Sequence, residues 1–226
     1  MTIKTNLFSF ATENWGDYLT TITEVSKRGD NNPLVVSEEK VYDFDKICEN
    51  IFSRKDNLPS SVDCVRVSVK SIEFIEFKSG FKQRITKENF KPELTYCDRV
   101  PNGHICPHFS KLFFRNQELK TKDLIHSIVK KAFDTYCLLE KQILPLCDVM
   151  EEGIEYKVKL IIVIDEDSIE AYEKTLAELS SLHENQSDNI FEKISGSLKG
   201  YRKMTDVSGV PYFYDQIDVV SYQVFV

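Results

Sequence analysis

The clearest pattern in the chain is an alternation of apolar and polar residues over 63–70 and again over 72–78. A period of two is typical of β-strands that bury one face. Because Ser71 alone separates the two stretches, they predict a β-hairpin with its turn at Ser71. The apolar residues that this pattern places on one face are Val65, Val67, Val69, Ile72 and Phe74.

The apolar face of the predicted hairpin also carries three charged residues. Asp63 begins the first strand, and Glu76 and Lys78 follow on the same face of the second strand. Charges on a buried face are unfavourable unless they are paired or bind a metal. The three side chains therefore predict a functional cluster, and the alternative is a surface hairpin with ordinary solvated charges.

Two stretches with helical spacing of apolar residues flank the hairpin. The first covers 44–52 and predicts a helix that Asp43 or Asp45 caps. The second begins near Thr121 and stops at Pro145, because proline cannot continue a helix. The second helix is long enough to cross a sheet.

The remaining elements complete an α/β pattern. The continuous apolar run over 156–164 predicts a strand that is buried on both faces, as in parallel sheets. A helix over 12–26 and an edge strand over 34–36 are predicted before the hairpin, and two helices within 167–198 and a strand over 218–226 after it. We therefore expect one domain that contains a mixed β-sheet flanked by helices, with a helical C-terminal elaboration.

The charged residues of the hairpin resemble a known motif. Asp63, followed after twelve residues by Glu76-x-Lys78, is similar to the motif of the PD-(D/E)XK, or restriction-endonuclease-like, nucleases. The resemblance covers about residues 44–164, whose order of helix, hairpin, helix and strand is that of the restriction-endonuclease-like core. Pro59 departs from the motif, because it stands four residues before Asp63 instead of beside it.

The resemblance implies a divalent-metal-dependent nuclease that hydrolyses phosphodiester bonds. Asp63 and Glu76 would hold Mg²⁺ or Mn²⁺, which prefer oxygen ligands, and the backbone carbonyl of Phe77 would be a third ligand. Lys78 would orient the attacking water or stabilise charge on the phosphate. Glu49, on the preceding helix, is a further candidate ligand, with a solvated surface carboxylate as the alternative.

The distribution of charge bears on the substrate. The net charge is −7, yet residues 66–131 hold 14 Lys or Arg against 7 Asp or Glu. Clustered basic residues bind phosphate backbones, so this segment predicts nucleic-acid binding, with DNA as the expected substrate of a restriction or defence-type endonuclease. The candidate nucleic-acid contacts are Lys82, Arg84, Lys120 and Lys122.

Several alternatives stay open at this point. RNA could replace DNA as the substrate, and a homodimer could cut both strands. A catalytically inactive restriction-like fold would act as a nucleic-acid-binding or protein-interaction module. In an immunity or regulatory protein, the hairpin would be only structural.

A second group of residues has side chains that zinc accepts, namely Cys97, His104, Cys106 and His108. Their spacing matches no zinc motif, because residues two apart point to opposite faces of an extended strand. A polar loop with a buried cysteine is the favoured alternative to a structural zinc site.

The cellular location is predicted from what the sequence lacks. No apolar stretch approaches the roughly 20 residues that cross a bilayer, and residues 1–6 have no apolar core of a signal peptide. The six cysteines are scattered, which favours reduced thiols over a disulfide framework. We therefore expect a cytoplasmic protein without a membrane partner.

Overall fold

The computed structural model describes residues 7–27, 31–52, 58–82, 107–147, 157–166, 189–203 and 213–225 of the 226-residue chain, with the backbone alone for 107–110 and 202–203. It is an α/β protein with one six-stranded mixed sheet and helices packed against it, as the sequence predicts at this level. Within these segments, no helix is both long and apolar enough to cross a membrane.

The six strands lie in the sheet in the order in which they occur along the chain. They are β1 (Leu19–Thr21), β2 (Lys40–Asp43), β3 (Cys64–Val67), β4 (Ser71–Lys78), β5 (Lys157–Ile164) and β6 (Gln216–Ser221). Neighbours among β1 to β4 are antiparallel, whereas β4, β5 and β6 run parallel. The antiparallel and parallel halves of the sheet therefore meet at β4.

The helices cover both sides of this sheet. They are α1 (Leu7–Asn14), α2 (Ile22–Val25), α3 (Phe44–Ile51), α4 (Pro107–Leu138) and α5 (Ile190–Lys203). Short 3₁₀ turns occupy Gly16–Tyr18 and Leu144–Leu146, and a π-helical turn spans Leu139–Ile143.

The predicted hairpin is formed by β3 and β4, and its register agrees with the alternation of the sequence. Val65 lies opposite Phe74, and Val67 lies opposite Ile72, so these four side chains share one face. This register is set by the apolar pattern, because a slip by one residue would turn every side chain to the other face.

The position of the turn was predicted wrongly. Ser71 begins β4, and the chain reverses at Val69 and Lys70, where the Ser68 amide donates to the Ser71 carbonyl at 2.8 Å. Val69 is consequently 53% exposed and does not join the apolar face. The alternation of the sequence continues through the turn, so it could not mark the end of the strand.

The strand predicted at 156–164 lies in the same sheet as the hairpin. It is β5, and it pairs in parallel with β4, with Glu76 beside Ile162. The predicted C-terminal strand is β6, which starts two residues earlier than expected and ends at Ser221. Residues 222–224 form a turn instead of continuing the strand.

The N-terminal region differs from the prediction. Residues 12–26 do not form one helix, because the α-helix ends at Asn14 and the chain enters β1 after the 3₁₀ turn at Gly16–Tyr18. Thr21 then begins a second helix by accepting a hydrogen bond from the Glu24 amide at 3.3 Å. Residues 34–36 do not form the predicted edge strand, although Leu34 and Val35 are buried.

The helix predicted over 44–52 is α3, and its boundary follows from its cap. The Asp43 carboxylate accepts a hydrogen bond from the Lys46 amide at 3.0 Å, which satisfies one of the free amides of the first turn. Phe44, Ile47 and Cys48 are buried on the side that faces the sheet.

The long helix α4 begins at Pro107, fourteen residues before the predicted start at Thr121. The extra turns carry Leu112 and Leu119, which are 47% and 49% exposed, so they have no apolar stripe that the sequence could reveal. The helix leaves regular α geometry after Leu138 and ends near Pro145, as predicted.

The apolar face of the hairpin packs against α4 in one core. The apolar patterns of the hairpin, the long helix and the strand at 156–164 predict one shared core of Val65, Val67, Phe74, Ile128, Phe133, Leu160 and Ile162. Five of these seven residues are buried in it: Val65, Phe74, Ile128, Leu160 and Ile162. Val67 is partly buried against it, whereas Phe133 is 44% exposed, which corrects the prediction. Phe133 turns instead toward the rings of Tyr201 and Phe213, at centroid distances of 6.3 and 6.2 Å.

The opposite face of the sheet is also covered. Cys64, Ile75 and Val163 are buried there together with Ile22 and Val41. Burial on both faces explains why the central strands carry long apolar runs. The helix predicted after Asp167 lies outside the described residues, and the division of the chain into one domain stays a prediction.

Candidate functional site

The two predicted carboxylates lie on the same face of the sheet, beside α4. Asp63 directly precedes β3, and its Oδ2 accepts a hydrogen bond from the Phe77 amide on β4 at 2.6 Å. Glu76 lies next to Phe77, and its side chain is 1% exposed. The end of the hairpin opposite its turn therefore brings the two carboxylates together.

A lysine that the sequence pattern did not single out joins them. Lys131 Nζ on α4 donates to Asp63 Oδ1 at 3.0 Å and to Glu76 Oε2 at 2.7 Å. Its side chain is only 22% exposed, so the ammonium points toward the sheet. Asp63 and Glu76 therefore converge on one point, and a cation occupies it.

The register of α4 on the sheet places Lys131 at this point. Ile128 and Ala132 on the same side of the helix are fully buried in the core. One turn further on, the Thr135 hydroxyl accepts a hydrogen bond from the Val62 amide at 3.1 Å. Because Val62 directly precedes Asp63, this contact ties the helix to the start of the site.

The electrostatics of Glu76 are unfavourable to a charged carboxylate. Burial is the main cause that raises the pKa of Glu76 to about 8, and the nearby charge of Asp63 raises it further. The hydrogen bond and charge of Lys131, and the charge of Lys78, oppose this shift. Among the described residues, Glu76 Oε1 is buried and has no hydrogen-bond partner.

The surroundings of Lys131, in contrast to those of Glu76, favour the charged form of the side chain. Burial alone would lower the pKa of its ammonium, but the charges of Glu76 and Asp63 and its hydrogen bonds with them raise it above its ordinary value. The lysine is therefore held firmly in its charged form. One positive charge faces two acidic groups.

A third carboxylate, Asp45 in the first turn of α3, lies close to this pair. The Ser61 hydroxyl donates a hydrogen bond to Asp45 Oδ1. Desolvation raises the pKa of Asp45, with a smaller contribution from the charge of Asp63, while Ser61 and Lys131 act against it. Electrostatic contact with both Asp63 and Lys131 makes Asp45 the acidic residue of α3 that faces the site.

Glu49, the predicted ligand on the same helix, lies one turn further along α3, and both Glu49 and Asp45 are exposed to solvent. The sequence pattern suggested Asp45 only as a candidate cap. The cap is Asp43, which frees the Asp45 side chain to bond with Ser61. The spacing therefore did not reveal Asp45 as a neighbour of Asp63 and Lys131, because it offered this residue only for the cap.

The two other predicted members of the site lie on β4. Lys78 is the last residue of the strand, is half-buried, and is close enough to Glu76 for its charge to lower the pKa of that carboxyl. Phe77 contributes its amide to Asp63, and its ring packs edge-on against Phe225 at 5.7 Å. The role of the Phe77 carbonyl as a ligand stays a prediction.

The loop that follows Lys78 is fixed by a buried aspartate. Asp165, directly after β5, accepts hydrogen bonds from the amides of Gly80 and Phe81 at 2.8 Å and of Lys82 at 3.2 Å. Gly80 has φ of 107°, and a Cβ there would lie 3.3 Å from a methyl group of Leu124. Residue 80 is therefore held tightly beside the site.

A groove of about 490 Å³ opens next to this loop, between the end of β4 and α4. Lys78 and Lys120 supply basic groups to it, and Asp123 supplies an acidic one. The remaining lining residues are Gly80, Gln117, Thr121, Leu124 and Ser127. The groove connects one predicted catalytic residue with one predicted nucleic-acid contact.

The other predicted nucleic-acid contacts have different surroundings. Lys82 Nζ lies 3.4 Å from the Tyr222 hydroxyl and 5.6 Å from the centre of that ring. Lys122 is exposed and forms an ion pair with Glu118 at 2.7 Å, and it does not line the groove. Arg84 lies outside the described residues.

The predicted zinc ligands also fall outside what the structure describes, since Cys97, His104 and Cys106 are not described and His108 is described only by its backbone in α4. In the described part of the chain, no group of three or more His, Cys, Asp or Glu side chains could hold a metal ion. The Asp63 and Glu76 pair nevertheless has hard oxygen ligands and one unpartnered buried oxygen, a donor set that fits Mg²⁺ or Mn²⁺.

Comparison with known proteins finds no family model, no curated protein and no solved structure that matches the chain. A function for this protein must therefore be inferred from the geometry of the site itself.

Proposed function

We propose that this protein is a divalent-metal-dependent nuclease that hydrolyses phosphodiester bonds, with DNA as the substrate. The observation that carries the proposal is the convergence of Asp63 Oδ1 and Glu76 Oε2 on one point, within 3.0 Å of the same nitrogen. Two acidic groups held this close on a buried face are unfavourable unless a cation joins them.

The order of elements around the site supports the same proposal. Helix α3, the antiparallel pair β3–β4, the long helix α4 and the parallel strand β5 follow each other along the chain and pack as one sheet with its helices. This is the order of the restriction-endonuclease-like core that the motif resembles. We propose on this basis that the α/β fold is a restriction-endonuclease-like one.

In this proposal Asp63 and Glu76 hold Mg²⁺ or Mn²⁺, with Asp45 as a further acidic group and the Phe77 carbonyl as a third ligand. The ion supplies an activated water and stabilises negative charge on the phosphate. Lys78 orients the water or stabilises the phosphate charge, since it borders both Glu76 and the groove. The groove receives the phosphate backbone through Lys78 and Lys120.

The second candidate is an inactive restriction-like fold that binds nucleic acid or a protein partner. The ion pairs of Lys131 with Asp63 and Glu76 favour it, because an internal ammonium already offsets much of the negative charge. In that case the cluster would only stabilise the contact of α4 with the sheet.

Incubation with plasmid and single-stranded DNA and RNA, in Mg²⁺, Mn²⁺ or EDTA, separates the two candidates. We expect cleavage by the wild-type chain in Mg²⁺ or Mn²⁺, none in EDTA, and none by Asp63→Asn. Asp17→Asn is the matched control, since Asp17 is an exposed carboxylate on a 3₁₀ turn. Binding of nucleic acid without cleavage in either metal would favour the inactive module.

A further inference from the structure

Lys131 occupies the position where the proposed metal would have to bind. Its Nζ lies 3.0 Å from Asp63 Oδ1 and 2.7 Å from Glu76 Oε2, the two oxygens that would be the metal ligands. The neighbouring Lys130 provides a contrast, because it is 53% exposed and contacts Asp134 and Ser60 instead of the carboxylate pair. The direction of Lys131 is thus a property of its place on the sheet-facing side of α4.

An ammonium and a divalent cation cannot share this position. An ion bound by both oxygens would lie about 2.0–2.6 Å from each of them, which is nearly where the nitrogen now lies. An ammonium nitrogen and a divalent ion that lie at nearly the same point repel each other strongly, and the repulsion is stronger in a site that is screened from water. Binding of the ion therefore requires that the ammonium moves away from at least one carboxylate.

A separate feature of the site indicates that Lys131 does not complete it. The Glu76 side chain is only 1% exposed, and its Oε1 is buried without a hydrogen-bond partner among the described residues. Buried carboxylate oxygens normally have a partner. The ammonium therefore satisfies one oxygen of Glu76 and leaves the other available to a ligand.

We propose that Lys131 is an internal competitor of the metal: its ammonium and a divalent cation bind the Asp63–Glu76 pair in a mutually exclusive way. This inference rests on the proposed function. Lys131 keeps the two acidic groups together and weakens metal binding, so the affinity for metal is set by a residue of α4 that is not itself a ligand.

The test is the affinity for Mn²⁺, measured by calorimetry or by electron paramagnetic resonance on the full chain. Lys131→Gln keeps a hydrogen-bond donor and removes the charge, so we expect it to bind Mn²⁺ about tenfold more tightly than the wild type, or better. Lys131→Arg keeps the charge and should stay close to the wild type. Lys130→Gln is the matched control and should be unchanged.

A gain of affinity separates opposition to the metal from a merely structural role, because loss of a structural ion pair would weaken binding or leave it unaltered. Equal affinity of the wild type and Lys131→Gln would overturn this inference and leave the proposed function standing. No Mn²⁺ binding by any of the four proteins would overturn both. Should Lys131→Gln be unfolded without metal, Mn²⁺ must refold it, and a chain that stays unfolded in Mn²⁺ would contradict the proposal.

Discussion

Two charged clusters lie on opposite faces of the same hairpin, and they differ in how completely their buried carboxylates are paired with cations. The α4-side cluster contains Asp63, Glu76 and Lys131. The opposite-face cluster is centred on Glu73, which lies across from Arg66 and beside Lys159 in the sheet. Because Glu73 and Glu76 are three residues apart on one strand, their side chains point to different faces.

In the opposite-face cluster, the central carboxylate is fully paired. Glu73 contacts Arg66 at 2.8 Å through Oε2 and Lys159 at 3.1 Å through Oε1, and Arg66 also pairs with Glu39 at 2.8 Å. Burial raises the pKa of Glu73, but the hydrogen bonds from Lys159 and Arg66 outweigh it and the net shift is downward.

In the α4-side cluster, two carboxylates share a single ammonium, and one oxygen of Glu76 has no partner among the described residues. The pKa of Glu76 is accordingly raised to about 8. The direction of the pKa shift of a buried glutamate therefore depends on how many cations pair with the acidic groups around it. The cluster in which two carboxylates pair with a single ammonium is the one that we propose as a metal site.

The largest expected effect is a difference in cleavage rate between substitutions of Glu76 and of Glu73. Glu76→Gln should reduce the rate by about a thousandfold or more, because it removes a proposed metal ligand. Glu73→Gln, the matched change on the other face of β4, should leave the rate within about threefold of the wild type. Similar losses in both variants, measured on the same substrate and metal, would show that the clusters do not differ in function.

A somewhat smaller effect is expected for Lys78→Ala. It should lower cleavage by about a hundredfold and leave the affinity for Mn²⁺ nearly intact, because the proposed lysine acts mainly in the transition state. Lys78→Arg should restore activity only in part, since a planar guanidinium does not replace a compact ammonium. Lys159→Ala, from the opposite-face cluster, is the control, and a loss of Mn²⁺ binding in Lys78→Ala would contradict this role.

The pH dependence of stability should sharpen the contrast. Glu76 ordinarily titrates near 4.5, and its pKa in the folded chain is about 8, so its contribution to stability is complete below pH 4.5 and is lost as the pH rises toward 8. In EDTA, denaturant titrations should show the free energy of unfolding falling by up to about 5 kcal/mol over this interval, because each pKa unit corresponds to about 1.4 kcal/mol.

Glu76→Gln should remove this slope, whereas Glu73→Gln should keep it. The lowered pKa of Glu73 predicts the opposite dependence: its contribution is present above pH 4.5 and is lost as the pH falls through the lowered value. A slope between pH 4.5 and 8 that persists in Glu76→Gln would mean that another group titrates.

The smallest effect concerns the rim of the opposite-face cluster. Glu39→Gln removes a partner of Arg66, but both side chains are partly exposed, at 41% and 32%. Such pairs contribute little, so we expect the free energy of unfolding to change by about 0.5 kcal/mol or less. A change of more than about 2 kcal/mol in urea denaturation would show that the cluster depends on this outer pair.

Part of the fold could be predicted because its signals are local. The hairpin, α3 and β5 each have a clear period or a continuous apolar run, and the structure places all three where the sequence suggests. The first turns of α4 and the break within 12–26 could not be predicted, because exposed helical turns carry no stripe and β1 is only three residues long.

The candidate site was predictable only in part. Asp63 and Glu76 could be paired because both lie in the hairpin, whose register follows from its alternation. Lys131 lies on α4, 55 residues after Glu76 along the chain, and its position depends on how this helix packs against the sheet. A signal was nevertheless present, since Ile128, Lys131 and Ala132 follow helical spacing and place a charge on the buried stripe.

The central claim is that Asp63 and Glu76 bind a divalent cation, and titration of the chain with Mn²⁺ tests it most directly. We predict one saturable ion per chain for the wild type, retained in Glu73→Gln and lost in Asp63→Asn and Glu76→Gln. Binding that is undiminished in Asp63→Asn, or the absence of saturable binding in both the wild type and Lys131→Gln, would contradict the account.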